Sequence, residues 1–333
     1  MQNQNKVRHI HVIPSFIFSA IFIGLALFLA INKQYVIDLI SFYQYKPNQE
    51  IANIIDTTGV NEHGKFLFYA SQPRLESTSQ FNQFCDRVEQ TTSVLGCYND
   101  YRIYIYYIKE DQLYGINEVT AAHEMLHAAY NRLTIQERED FSRLAETEYN
   151  KLKNIKSFEE RMQYYEKAEP GQRDNELHSI IGTEVADISP ELEKYYQKYF
   201  SDRRKVVSLY EKYIQVFHEL DNKAESLSNL LNKITKEINT EVSVYNQSVQ
   251  ALNSQIKDFN QRASNGDFFS EAEFYYERAL IINKIEDLNI MRDQINEKIS
   301  QYNKILDEYN SIVIKSNKLY NSMDSTLAPA PAI

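Results

Sequence analysis

The sequence predicts a mostly α-helical protein in which an α+β domain with a small antiparallel sheet precedes a long helical coiled-coil hairpin. Three observations support this fold class. Glycine and proline occur only 8 and 7 times in 333 residues, so few positions interrupt helices. Apolar residues recur at three- and four-residue spacing through the C-terminal third. Two short apolar runs on either side of Asn99-Asp100 are typical of a β-hairpin.

The bulk composition limits the classes of function. The length allows two domains, and 25 Tyr with 17 Phe can build a substantial core although Trp is absent. Mean hydropathy is −0.51. The net charge of −10 argues against nucleic-acid binding, because neutralising phosphates requires clustered Lys and Arg.

An uncharged segment near the N-terminus predicts a membrane anchor. Residues 12–31 carry no charge over twenty positions, which is enough to cross a bilayer core at about 1.5 Å per residue. We therefore interpret residues 1–33 as a short stub and a transmembrane signal anchor. A cleaved signal peptide is the alternative, but the apolar region is long and lacks a small residue at the cleavage position. Lys6 and Arg8 place the N-terminus in the cytoplasm, and the localisation that follows is a single-pass cell-membrane protein with extracytoplasmic C-terminal domains.

The chain has two cysteines, Cys85 and Cys97. They are too few for a disulfide scaffold or a cysteine-based zinc site. In an extracytoplasmic domain they could pair and close a small loop, while two separate buried thiols are the alternative.

Residues 45–200 are predicted to form one domain of short mixed elements. The predicted elements that precede residue 110 are helices over 48–55 and 81–88 and strands over 65–70, 94–98 and 101–108. Further on, Thr134 and Glu137 form a capping box at the start of a helix. A sheet next to an active-site helix could offer its edge to an extended substrate, and a covered edge is the alternative.

The strongest signal in the chain is the sequence HExxH at His123-Glu124-Met125-Leu126-His127. On a helix, His123 and His127 project from one face and can share a metal ion. Glu124 lies about 100° around the helix from His123, where it could take a proton from a water at the metal. The flanking residues are small or apolar, which predicts burial, and an unliganded histidine pair would be unfavourable there.

A catalytic zinc site usually takes three ligands from the protein. No third histidine follows at the HExxHxxGxxH spacing, so a carboxylate is expected from a predicted helix over 174–188. Glu184 falls in the middle of the apolar face of that helix and is preferred as the third ligand, with Glu176 as the alternative. Asp187 could orient a ligand histidine. His178 is a candidate for stabilising the transition state, or a structural histidine of the helix.

These residues carry a family resemblance. The run TAAHEMLHAA over 120–129 is similar to the extended zincin signature, and with a later glutamate residues 94–190 resemble a gluzincin metallopeptidase. Asn175-Glu176 is also similar to the Asn-Glu pair that carries the zinc ligand in thermolysin-like enzymes. The resemblance implies a zincin-like domain, one Zn²⁺ per chain, Glu124 as general base, and peptide-bond hydrolysis by a metal-activated water. The gap of about fifty residues between His127 and either glutamate departs from the family pattern and leaves both glutamates open.

The C-terminal third predicts a coiled coil over 203–320. One heptad seam runs through 210–259 and a second through 281–313, with an interruption at 263–267. Two long helices joined by a short turn predict an antiparallel hairpin with arms of about 75–90 Å, and parallel dimerisation is the alternative. Such a seam could bind a protein partner or a second copy. Residues 324–333, with their Ala-Pro repeats, are predicted to be disordered.

The function predicted from these features is a membrane-anchored zinc metallopeptidase acting on a peptide or protein substrate. One alternative is an extracytoplasmic coiled-coil scaffold or adhesion protein with a vestigial zincin domain. The other is a zinc amidase acting on a non-protein substrate. The intact Glu124 favours an enzyme, because a vestigial site has no chemical reason to keep a carboxylate beside the first histidine.

Overall fold

The computed structural model describes residues 12–85, 94–168 and 170–325 of the chain. As predicted, the protein is mostly helical and has one small sheet. Its α-helices are α1 Val12–Ile31, α2 Lys33–Gln44, α3 Gln49–Thr57, α4 Glu62–Ala70, α5 Thr78–Phe84, α6 Ile116–Asn131, α7 Ile135–Leu152, α8 Lys156–Ala168, α9 Arg173–Glu184, α10 Pro190–Tyr196, α11 Arg204–Asn265 and α12 Glu271–Met323. Its strands are β1 Arg74–Glu76, β2 Gly96–Asn99 and β3 Arg102–Tyr106.

The sheet has the strand order β1-β3-β2. The predicted hairpin is confirmed, since β2 pairs antiparallel with β3 and Cys97 lies opposite Tyr104. Asp100 and Tyr101 both have positive φ (48° and 60°), as a two-residue type I′ turn requires. The expectation of a purely antiparallel sheet is wrong, because β1 joins the other edge of β3 in parallel.

The predicted strand over 65–70 is also wrong, since these residues lie in α4. The side chain of Asn61 accepts a hydrogen bond from the Gly64 N–H and so caps the helix N-terminus. Leu67, Phe68 and Ala70 are buried along the helix. The aromatic and apolar residues that suggested a strand therefore form the buried face of a short helix. The helix predicted over 81–88 ends at Phe84 in α5, and its last three positions lie outside the described residues.

The core of the first part of the chain surrounds α6, the helix that carries the HExxH motif. This helix packs against α9, α3 and α4 and against the strands β2 and β3. Ala121, Ala122, Met125, Leu126 and Ala128 have no solvent-exposed surface. The predicted burial around the motif histidines is therefore confirmed. The capping box of Thr134 and Glu137 is present at the start of α7.

The chain divides into two compact units. The first comprises Met1–Gln215 together with Tyr320–Ile333, and the second comprises Val216–Leu319. In the first unit the last described residue lies next to α5, where the amide of Asn82 donates a hydrogen bond to the Ser325 carbonyl (2.6 Å). Ser325 is fully buried, so the predicted disorder does not extend to that residue. The rest of the predicted tail, 326–333, lies outside the described residues.

The second unit consists of the long parts of α11 and α12. Ion pairs join the two helices in an antiparallel sense, since residues early in α11 pair with residues late in α12. These pairs are Lys223–Glu308, Lys298 with Glu237 and Glu241, and Arg262 with Glu273 and Glu277. The buried apolar residues of this unit are Phe217, Leu220, Leu231, Ile234, Leu252, Phe259, Ile295 and Leu319.

Within residues 17–325, no single helix is long and apolar enough to cross a bilayer. Ile17–Ile31 and Lys33–Gln44 satisfy the length and composition criteria only as a pair, and their axes are bent by 79° at Asn32.

Candidate metal centre

Three metal-ligating side chains from α6 and α9 converge in the core of the first unit. The Nε2 atom of His123 lies 3.9 Å from Glu176 Oε2, and the Nε2 atom of His127 lies 3.5 Å from Glu176 Oε1. The three candidate ligand atoms lie within 4.8 Å of one another. Tetrahedral zinc with bonds of about 2.0–2.1 Å separates its ligand atoms by about 3.3 Å. The two measured distances exceed this by about 0.2 and 0.6 Å, so a small cation bound here would draw the three side chains slightly together.

The glutamate at this position is Glu176, and the prediction that placed Glu184 beside the histidines is wrong. Glu184 is the last residue of α9 and pairs with Arg161 of α8 at 2.8 Å. Because the helix ends there, Ile188 is not part of the apolar face on which the prediction was based. Glu176 lies two turns earlier, in the first turn of α9, and is buried.

The face of α9 that meets α6 is small and polar. A Cβ atom added to Gly182 would contact the Leu126 side chain of α6 and would lie 2.8 Å from Tyr196 Cε1. Only glycine therefore allows the two helices to approach this closely. Ser179 and Asn175, about one and two turns before Gly182, share this face. The polar side chains at this helix contact are those that face His127 of α6.

Asn175 and Ser179 orient the ring of His127. The Nδ1 atom of His127 lies 3.0 Å from Asn175 Oδ1 and 3.2 Å from Ser179 Oγ. The Asn175 amide donates to Gln172, and this leaves its oxygen to accept the Nδ1–H of the ring. That tautomer turns the lone pair of Nε2 towards Glu176.

Two other predicted site residues lie elsewhere. Asp187 is not close to a motif histidine, because its side chain is 93% exposed and pairs with Arg204 at 2.7 Å. His178 is fully buried on another face of α9, where its Nε2 lies 2.9 Å from the Tyr195 hydroxyl. Burial, followed by the charge of His127, lowers the pKa of His178 to about 3. His178 is therefore a neutral core residue packed among aromatic rings, and the structure does not place it where a substrate could reach it.

Glu124, the candidate general base, is buried and lies against the edge strand β2. A Cβ atom added to Gly96 of β2 would lie 2.6 Å from Glu124 Oε1 and 2.7 Å from Thr120 Cγ2. The strand thus passes directly beside the carboxylate. A disulfide between Cys85 and Cys97 joins β2 to the residue that follows α5, with the two Cα atoms 5.8 Å apart.

Burial favours the neutral forms of two ionisable side chains at the site, those of His123 and Tyr165. Burial lowers the pKa of His123 well below its usual value, and the charges of His127 and Arg161 lower it further. Burial raises the pKa of Tyr165 of α8 well above its usual value, and the charge of Glu176 contributes to this shift. The His123 ring is therefore available as a lone-pair ligand, and the Tyr165 phenol stays protonated.

Sequence reasoning missed four of the residues around this centre, namely Gly96, Arg161, Tyr165 and Ser179. Ser179 and Gly182 give the clearest overlooked signal, because small residues three apart on a helix mark a close helix contact. Tyr165 and Arg161 belong to a helix without any motif. Their positions depend on how α8 packs on α9, which no local pattern reports.

Comparison with known proteins identifies no relative. No protein family matches the chain, and neither the curated proteins nor the solved structures include a significant match. The class of site is defined by its donors alone: two imidazole nitrogens and a carboxylate from two packed helices, beside a buried carboxylate that is not one of the three grouped residues.

Proposed function

We propose that this protein is a membrane-anchored zinc metallopeptidase with a zincin-like catalytic unit. The observation that carries the proposal is the convergence of His123, His127 and Glu176 within 4.8 Å. Two imidazoles and one carboxylate are a common protein ligand set of catalytic zinc, and they leave a fourth position open. A zinc ion at these ligands would supply a Lewis acid that polarises a carbonyl oxygen and lowers the pKa of a water molecule.

Glu124 would act as the general base. Glu124 is next to His123 on the same helix, and its side chain is buried away from bulk solvent. It would accept a proton from the attacking water and pass that proton to the amine that leaves.

The edge of β2 supports an extended peptide as the substrate. Tyr106 N–H donates to the Leu95 carbonyl, so the pairs 95–106, 97–104 and 99–102 are the hydrogen-bonded pairs of the hairpin. The N–H and C=O groups of Gly96 and Tyr98 therefore point away from β3. No other described strand pairs with this edge. A peptide added here would run beside Glu124 and be held by main-chain hydrogen bonds.

An extracytoplasmic location, with the N-terminus in the cytoplasm, is part of the proposal. The Cys85–Cys97 disulfide supports it, because disulfides persist in oxidising compartments. The apolar helix α1 precedes the catalytic unit, as a signal anchor would.

Metal removal tests the proposal. The full-length protein purified in detergent should contain about one zinc per chain and should cleave members of a panel of unstructured peptides. Chelation should abolish cleavage, and added Zn²⁺ should restore it, because the ligands are held by packed helices. Zinc content is measured by atomic emission and cleavage by mass spectrometry. Zinc with cleavage of non-peptide amides alone would indicate the amidase, and absence of both zinc and cleavage would favour the scaffold.

The edge strand makes a separate prediction. Gly96→Ala should lower kcat on the cleaved peptide by about 10²-fold, because the new methyl group would displace Glu124 or β2 by roughly 1 Å. Zinc content should not change. Gly24→Ala, where an added Cβ meets nothing within 4 Å, is the matched control. Unchanged kinetics in Gly96→Ala would show that β2 does not run beside the reacting groups.

A further inference from the structure

The helix α2, which follows the apolar helix α1, has two different faces. One face is turned into the first unit and carries Asp38, which is only 4% exposed. The opposite face carries Ile37, Ile40 and Tyr43, which are 43%, 52% and 75% exposed. At 100° per residue these three side chains lie within about 120° of one another. Two exposed polar residues, Lys33 at the start of α2 and Gln44 at its end, lie in the same arc, and the three apolar and aromatic residues occupy exposed positions between them.

The inner face attaches α2 to the motif helix. Asp38 accepts hydrogen bonds from the Arg132 guanidinium at 2.7 and 2.8 Å. Arg132 follows the last residue of α6, and it also donates to the Ala128 carbonyl and to the Tyr98 hydroxyl of β2. Both partners of this ion pair are nearly buried, so the pair fixes α2 to α6 and to the edge strand.

Aromatic packing extends the same attachment. The Phe42 and Phe66 rings lie 5.2 Å apart, and Tyr35 also contacts Phe66. Just after the helix, the Tyr45 hydroxyl donates to the Pro73 carbonyl at 2.6 Å. α2 is therefore packed into the first unit and is not a flexible linker between α1 and the helix α6.

The outer face has the composition of a membrane-interface helix. Ile37 and Ile40 are apolar, and Tyr43 is aromatic with a polar tip. Lys33 and Lys46 are exposed at the two ends of the helix, where they could reach lipid phosphates. α1 carries exposed Ile, Leu and Phe side chains along its described length, and the bend of 79° at Asn32 turns α2 nearly perpendicular to it.

We infer that α2 lies in the bilayer interface, with Ile37, Ile40 and Tyr43 between the headgroups and the acyl chains. This inference depends on the anchor in the proposed function, because α1 must cross the membrane for its 79° bend to align α2 with the surface. α2 does not enter the hydrocarbon core, since its other face holds the buried Asp38–Arg132 ion pair and the packed catalytic body. An apolar face of this kind is buried about 5–10 Å deep in the interface.

The consequence concerns the substrate. The helix α2 also binds Arg132 through Asp38, and Arg132 in turn contacts the end of α6 and Tyr98 of β2. The metal centre is thereby kept at a fixed position relative to the membrane plane. We therefore expect the substrates to be extended segments that lie close to the bilayer surface, and not freely diffusing peptides alone.

Site-directed spin labelling of the full-length protein in liposomes tests this placement. Cys85 and Cys97 are paired, so a nitroxide reacts only with an introduced cysteine. Labels at Ile40→Cys and Ile37→Cys are compared with a label at Ile155→Cys, an isoleucine with the same 52% exposure as Ile40 in the same unit. Vesicles contain phosphatidylcholine with a third of phosphatidylglycerol. Collision rates are measured with oxygen, which concentrates in lipid, and with a water-soluble nickel chelate.

The labels at Ile37 and Ile40 should collide with oxygen several-fold more often, relative to nickel, than the label at Ile155. Equal nickel access at Ile40 and Ile155 would overturn the inference. A label at Phe22→Cys in α1 separates the two proposals. If it is buried in lipid while Ile40 is not, only the inference about α2 fails. If it is open to nickel, the anchor and the inference about α2 both fail. Neither outcome depends on zinc or on hydrolysis.

Discussion

Glu124→Gln is expected to keep zinc and to lose peptide hydrolysis. Glutamine has the shape of glutamate, so the packing of α6 beside β2 should persist, and residue 124 is not among the grouped ligand atoms. Its amide cannot accept the proton of the attacking water. Loss of a general base lowers rates by about 10²- to 10⁴-fold. The measurement is kcat on the best cleaved peptide, with zinc content determined on the same sample.

Glu118→Gln is the matched control for this substitution. Glu118 is on the same helix, and its carboxylate is not among the atoms that converge with the histidines. Its replacement should leave zinc content and kcat near the wild-type values. Equal activity in Glu124→Gln and wild type would end the peptidase proposal. Loss of zinc in Glu124→Gln would mean that the substitution disturbs the ligand cage, and this outcome would contradict the separate role assigned to Glu124.

The parts of the fold that could be predicted are those set by local sequence. The hairpin turn depends on Asn99 to Arg102, the capping box on Thr134 and Glu137, and the long helices on their heptads. HExxH is local in the same sense, because a single helix fixes the geometry between His123 and His127. In each case the interacting residues are at most four positions apart.

The parts that could not be predicted depend on packing between distant segments. β1 joins β3 in parallel, a pairing between residues about thirty positions apart with no turn to signal it. Leu67 and Phe68 are residue types that also suit a strand, but they lie in the helix α4, which packs against α6. The prediction of Glu184 as the third ligand was wrong for a related reason. Apolar periodicity identified the face of α9 that enters the general core, whereas the face towards the histidines is the small polar one with Asn175, Ser179 and Gly182.

The ligand assignment itself gives the second large prediction. Glu176→Ala should reduce zinc content of the dialysed protein from about one per chain to near zero. Removing a group that only orients a ligand weakens metal binding by about 10- to 100-fold, and removal of a ligand should exceed that loss. Glu184→Ala should keep its zinc. It leaves Arg161 without its carboxylate, so it should instead lower the free energy of unfolding by about 1–3 kcal/mol, a value reduced for the partial exposure of Arg161.

The two variants separate binding from folding because the two carboxylates belong to the same helix but to different partners. Glu176 faces two histidines of α6, whereas Glu184 faces an arginine of α8. Glu184→Gln, which keeps a hydrogen-bond acceptor for Arg161, should recover part of the lost stability. Zinc loss in Glu184→Ala with zinc retained in Glu176→Ala would reverse the assignment. The Glu184 carboxylate would then have to leave Arg161 and turn towards the histidines when the metal binds.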